Sequence, residues 1–244
     1  MSAAVSAEAE QGDVQGASPG MLTVLRIDGD FGPAITPRTV AGSADGQEPD
    51  LPIELSGISM TINGHSVGMK SVDNDRIVFT VPKGLASAVA GTSYPVVVNN
   101  QGTETKGFIT IVPARPDIFT STAGTGGRAI AFNVTNSTPT PEPFAVTSVN
   151  STGTTVPTRI RLYLTGMHLV PSSAISIRIG TVTITGAQIL TGAVLVEPGV
   201  YTVDFELPAT VAGFGDQPIV VTVTGGGGTY TSRLDDTAPR VSIL

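Results

Sequence analysis

The sequence predicts an all-β chain folded as two tandem β-sandwich domains. Three observations predict it. Short runs rich in β-branched residues recur along the whole length, bounded by Gly, Pro, Asn and Asp clusters. No segment carries a 3.6-residue apolar period between caps. The strand blocks of the first half return, in the same order, in the second half.

The elements follow in order. In the first half the strand signals are "LTVLRI" (22–27), "ISMTI" (58–62), "RIVFTV" (76–81), "YPVVVNN" (94–100) and "GFITIV" (107–112). "GLASAVAG" (84–91) is the one stretch with the character of a helical turn. In "ISMTINGHSV", Ile58, Met60 and Ile62 alternate with Ser59 and Thr61, a period of 2 with one buried face. Asn63-Gly64 is a preferred pair for a tight hairpin turn, because both positions tolerate positive φ. His65 then sits at the hairpin tip, where a solvated turn residue is favoured over a ligand.

The second half gives "RIRLYL" (159–164), "ISIRIG" (175–180), "VTITG" (182–186), "YTVDFEL" (201–207) and "PIVVTVT" (218–224). "ISMTINGHSV" is echoed by "ISIRIGTVTI", "RIVFTVPKGL" by "YTVDFELPAT", and "YPVVV" by "QPIVV". Phe-x-x-Pro recurs at Phe79–Pro82 and Phe205–Pro208, and Gly29 aligns with Gly166. This ordered repetition is an internal duplication, and two copies mean two sandwiches rather than a solenoid. The expected boundaries are a tail over 1–17, the first sandwich over 18–113, the second over 114–234 and a C-terminal tail over 235–244.

Composition narrows the function classes. Only 14% of the 244 residues are charged and the net charge is −7. There is no basic face for nucleic acid and no polybasic segment for anionic lipid. No apolar run reaches the roughly 18–20 residues of a membrane span. With no cysteine there are no disulfides, thiolate nucleophiles or Cys-based metal sites. Two histidines, His65 and His168, far apart in sequence, supply neither metal-ligand spacing nor an evident general base. Asp28-Gly29-Asp30 and Asp73-Asn74-Asp75 lack the remaining oxygen ligands of a calcium loop and read as turns. Asp235-Asp236 reads as a solvated terminus. "TGGGGTY" (224–230) lies between strands rather than before a helix, so it is a hairpin tip and not a phosphate cradle. Asn133, Asn136 and Asn150 open Asn-x-Ser/Thr triplets, which chance supplies readily in a Thr-rich segment. Asp204 and Glu206 fall on one strand face, expected to be solvated. No catalytic, cofactor-binding or metal site is expected, and no enzyme activity.

The N-terminal tail is different. In "SAAVSAEAEQ", Ala3, Val5, Ala7 and Ala9 alternate with Ala4, Ser6, Glu8 and Glu10. That is a small-apolar face opposite a largely polar one. One reading makes residues 3–10 a strand added to an edge of an adjacent subunit. The other makes them a disordered tail beside a signal-cleavage site.

Together these residues resemble immunoglobulin-like folds of the IPT/TIG type, and more closely the paired C-terminal module of large secreted bacterial proteins. The resemblance is carried by Pro19-Gly20, Gly29 to Phe31, the Ile58 to Gly64 hairpin, Val81-Pro82, Gly91 to Val98, Pro116-Asp117-Ile118-Phe119 and Gly124 to Ala129. It covers roughly residues 18–232. It implies immunoglobulin-like sandwiches, an extracellular or cell-surface location, and a structural or adhesive role without catalytic residues. The expected partners are the chain itself, or a cell-surface glycan or protein.

Overall fold

Burial alternates along most strands of the computed structural model, which describes residues 2–3, 16–27, 29–42, 50–122, 126–234 and 237–244. The chain divides into two units. The first comprises Met1–Arg115, Thr165–His168 and Leu195–Val200; the second comprises Pro116–Leu164, Leu169–Val194 and Tyr201–Leu244.

In the first 115 residues the strands are β1 (Ser2–Ala3), β2 (Leu22–Arg26), β3 (Arg38–Thr39), β4 (Glu54–Leu55), β5 (Ile58–Ile62), β6 (His65–Ser66), β7 (Gly68–Val72), β8 (Arg76–Thr80), β9 (Thr92–Asn100) and β10 (Thr103–Ile111). They make two sheets, ordered β1-β2-β8-β7-β3 and β10-β9-β5-β4, with β6 hairpinned onto β5. One apolar cluster fills the unit. It includes Met21, Leu25, Phe31, Ile58, Met60, Ile62, Met69, Ile77, Phe79, Val96, Val98, Ile109 and Ile111. The hairpin read from "ISMTINGHSV" is present: Ile62 faces His65, and Asn63 and Gly64 have φ of 51° and 78°.

The rest of the chain carries β11 (Asp117–Ile118), β12 (Ala131–Asn133), β13 (Thr147–Val149), β14 (Thr155–Pro157), β15 (Arg159–Thr165), β16 (Ile175–Ile179), β17 (Val182–Ile184), β18 (Val194–Glu197), β19 (Val200–Glu206), β20 (Gly215–Gly225), β21 (Gly228–Thr231) and β22 (Arg240–Ile243). The sheets run β11-β15-β19-β18, with β12 on β15, and β17-β16-β20-β21, with β22 on β20; β13 and β14 form a separate pair. The pairings β2–β8, β7–β8, β5–β9 and β9–β10, and likewise β15–β19, β16–β17, β16–β20 and β20–β21, are antiparallel.

The duplication holds at the level of register. Thr23 faces Phe79 and Ile160 faces Phe205, the same offset that aligns Gly29 with Gly166. Met60 faces Val98 and Ile177 faces Val221, as the echoed blocks require. Phe79 and Phe205 are both buried.

Three expectations are corrected. The C-terminal segment is not only a tail, because Arg240–Ile243 pairs with Gly215–Pro218 and buries Val241 and Ile243. "GLASAVAG" forms turns rather than a helical turn. The equivalent segment of the second copy does make one, a 3-10 turn at Ala209–Val211. Asp204 is not solvated: its side chain is 2% exposed. Leu190 and Thr191 lie across it, with the Leu190 N–H donating to the Asp204 carbonyl at 2.8 Å and the Asp204 N–H to Thr191 Oγ1 at 3.0 Å. Arg159 and Arg161 of β15 take up the carboxylate oxygens, a partnership between strands that periodicity along one strand cannot register.

Candidate functional site

Two kinds of feature offer themselves for recognition: sheet edges and one polar cavity. β10 ends its sheet. It is long because β9 and β10 close on a two-residue turn, Gln101-Gly102, with φ of 51° and 94°. Such turns match the twist of the strands they join. Ile109 and Ile111 of β10 enter the core, while Phe108 stands 69% exposed beside Pro95 of β9. Glu104 and Lys106 share the outer face, with Nζ–Oε2 at 2.8 Å. β18 ends a sheet as well, and its Val194 is 49% exposed. The four tyrosines are covered to different degrees. Tyr201 and Tyr230 are buried, and Tyr94 and Tyr163 are half-buried.

The cavity, of about 230 Å³, lies in the first unit and is lined by Asp50, His65, Ser66, Thr80 and Lys83 among others. The Lys83 ammonium donates to Asp50 Oδ2 at 2.8 Å, and the Asp50 side chain is 3% exposed. Asp50 Oδ1 is buried without a hydrogen-bond partner among the described residues. The ion pair ties the loop before β4 to the chain leaving β8. His65 is exposed at the rim, as a hairpin-tip residue should be.

The remaining sequence candidates fall mostly into structural roles. Asp30 Oδ1 accepts from the Gly32 N–H at 3.1 Å, closing a turn. Asn74 Oδ1 accepts from the Ile35 N–H at 2.9 Å, and its carbonyl from the Phe31 N–H, so the Asp73–Asp75 turn clips the loop after β2. Gly226 and Gly227 make the β20–β21 hairpin tip with positive φ. Asn133 Nδ2 donates to Ser148 Oγ at 2.9 Å, and Asn150 Oδ1 caps the turn through Thr154. Asp28, Asp235 and Asp236 lie outside the described residues. Among the described residues no group of three or more His, Asp or Glu side chains could hold a metal ion. No helix there is long and apolar enough to cross a membrane.

Of the tail residues singled out by alternation, Ala3 pairs with Leu25 and Ser2 with Arg26, extending the sheet beyond β2. Val5, Ala7 and Ala9 lie outside the described residues. Sequence reasoning missed the ionic cluster of the second unit. Arg128 pairs with Glu142 and Asp216, and Arg240 Nε donates to Asp216 Oδ2 at 2.5 Å. Burial favours the neutral form of Asp216. Its two arginine partners outweigh that and hold its pKa below the ordinary carboxylate value. The cluster joins segments far apart in sequence, so no local spacing announces it.

The fold defines an all-β protein of two tandem immunoglobulin-like β-sandwiches. No protein-family model and no curated protein matches the chain. Among solved structures, a tandem pair of titin immunoglobulin domains is 15% identical over 93% of this chain and 91% of its own, with a TM-score of 0.25. A second titin structure, of Titin-A168169, is 12% identical over 99% of each chain, with a TM-score of 0.26. An endo-fucoidan hydrolase of glycoside hydrolase family 107 is 11% identical over 77% of this chain and 24% of its own, with a TM-score of 0.20. Likenesses this distant add nothing to what the sheets themselves establish.

Proposed function

We propose that this chain is a secreted or cell-surface structural or adhesive protein that self-assembles through its sheet edges, and that it has no catalytic activity. The observation that carries this reading is the β10 edge, on whose outer side no strand pairs among the described residues and where Phe108 is exposed over more than two thirds of its surface. Edge strands present unpaired backbone groups to any extended chain, and natural proteins normally blunt or cover them. The pairing of Ser2–Ala3 with β2 supports the same mode of contact, since the edge that takes this strand from its own chain can take it from a neighbour. The IPT/TIG-type resemblance supports an extracellular place.

The second reading is a glycan- or surface-protein-binding module. The polar cavity at Asp50 and His65 favours it. The covered tyrosines and the absence of tryptophan count against it, because sugars stack on exposed rings. Light scattering of the full chain and of a chain lacking residues 2–16 tests the leading reading. Expected is a mass above the monomer for the full chain, with circular dichroism unchanged on deletion; a mass that falls on deletion places the contact at the tail strand, and one that is kept places it at β10. A monomer at every concentration sinks it.

A further inference from the structure

We infer that β10 is the seam of a homotypic dimer, in which two copies pair their β10 strands antiparallel about Thr105; the inference rests on the self-assembly reading and names its contact. Among the described residues no strand pairs with the outer side of β10. Only its end is covered, where Ala17 bridges to Ile111 and the Ala17 N–H donates to the Thr110 carbonyl at 2.9 Å. That bond shows which way the backbone faces: Thr110 turns its polar groups away from β9. Along an antiparallel strand this direction alternates. Phe108, Lys106 and Glu104 therefore also present N–H and C=O outward, with no strand paired to them among the described residues.

An isologous contact must be complementary to itself. Pairing about Thr105 sets Glu104 opposite Lys106 of the second copy, and by symmetry Lys106 opposite Glu104 of the second copy. Both are outward-facing positions, so each pair exchanges two backbone hydrogen bonds as well as joining opposite charges. Pairing about Lys106 sets two ammonium groups face to face. Pairing about Gly107 sets Lys106 opposite Phe108 and leaves Glu104 without a cation. The charges thus select one register and disfavour the next.

The apolar side chain fits the same choice. Phe108 falls beside the Gln101-Gly102 turn of the second copy, just past the end of its β10. A Cβ built on Gly102 meets nothing within 4 Å, so the ring has open backbone to cover.

Because the chain has no cysteine, a single introduced thiol reports the register. In the inferred seam the two Thr105 residues form a non-hydrogen-bonded pair, with Cα atoms about 4.5 Å apart, inside the range a disulfide spans. Thr103 instead faces Gly107 of the second copy, and the two Thr103 residues lie about 13 Å apart at the strand rise. Under mild oxidation Thr105→Cys should give a covalent dimer and Thr103→Cys should not. Glu104→Lys should weaken the dimer about tenfold by placing like charges opposite each other. The exchange Glu104→Lys with Lys106→Glu should restore it. If Thr105→Cys stays uncrosslinked and Glu104→Lys keeps its full oligomeric mass, the seam is wrong while the assembly reading survives. If wild type and all variants are monomeric, both fail.

Discussion

At the scale of single residues, the paired Phe79 and Phe205 are the clearest product of the duplication. Each sits on the strand that faces β2 or β15, and each is at most 2% exposed. Phe79→Ala and Phe205→Ala should each cost about 3–5 kcal/mol, the usual range for a buried phenylalanine. Urea unfolding followed by circular dichroism checks this; a wild-type profile for either variant would contradict the shared role. Asp204 makes a different demand. Arg159 Nε and Arg161 Nε reach its two oxygens at 3.0 and 2.8 Å. Burial works to raise its pKa, and the hydrogen bonds from Arg161 and Arg159 outweigh burial and lower it. A lowered folded-state value means that the stability from this group is complete above the unfolded value of about 3.9. It is lost as pH falls through the folded value. Asp204→Asn should therefore cost about 1–3 kcal/mol at neutral pH, below the full cost of breaking a buried pair because both arginines reach water. The gap between variant and wild type should shrink as pH falls below about 4. A gap that stays constant with pH would remove the electrostatic account.

At the scale of elements, most strands were legible. Period-2 alternation in "ISMTI", the Asn63-Gly64 turn and the echoed blocks each gave the observed strand, hairpin and register. What was illegible has physical reasons. "RVSI" is four residues long and has no echo in the first repeat, so nothing marked it as β22. The buried Asp204 carboxylate is held by Arg159 and Arg161 of the neighbouring strand, which the pattern of β19 alone does not show. That no strand pairs with the outer side of β10 among the described residues depends on the course of the rest of the chain, which no local window contains. The C-terminal strand supplies a test. Val241 and Ile243 are buried, the Ser242 N–H donates to Glu142 Oε2 at 2.8 Å, and the Phe144 N–H donates to the Ser242 carbonyl at 2.9 Å. Burial of the two side chains alone is worth about 3–6 kcal/mol at roughly 1.5–3 each. Ending the chain at Pro239 should abolish cooperative melting of the second unit, whereas a dispensable tail would leave the thermal profile unchanged.

At the scale of the whole molecule, the two units are not two consecutive stretches of sequence. The first unit includes Thr165–His168 and Leu195–Val200 as well as the first 115 residues. Within it, the Leu22 N–H donates to Thr165 Oγ1 at 2.8 Å, and that hydroxyl donates to the Gly199 carbonyl at 2.6 Å. Thr165 is fully buried, so this relay has no water to replace it. The Gly166 carbonyl accepts from the Arg115 N–H at 3.1 Å. Gly166 has φ of 72°, and a Cβ there would stand 1.8 Å from the Arg115 carbonyl oxygen, so no other residue fits. The glycine shared by the two repeats thus serves packing in the first unit. A fragment of residues 1–115 keeps its apolar cluster but loses these partners. Leaving the Leu22 N–H without an acceptor costs about 1–3 kcal/mol if it stays shielded from water. The fragment should fold and unfold in urea at a distinctly lower midpoint than the same unit in the full chain, followed through near-ultraviolet signals of Tyr94, the sole tyrosine of those 115 residues. Thr165→Val in the full chain removes the relay while keeping the side-chain shape, and should reproduce part of that loss. An equal midpoint for fragment and full chain would make the two added segments dispensable to the first unit.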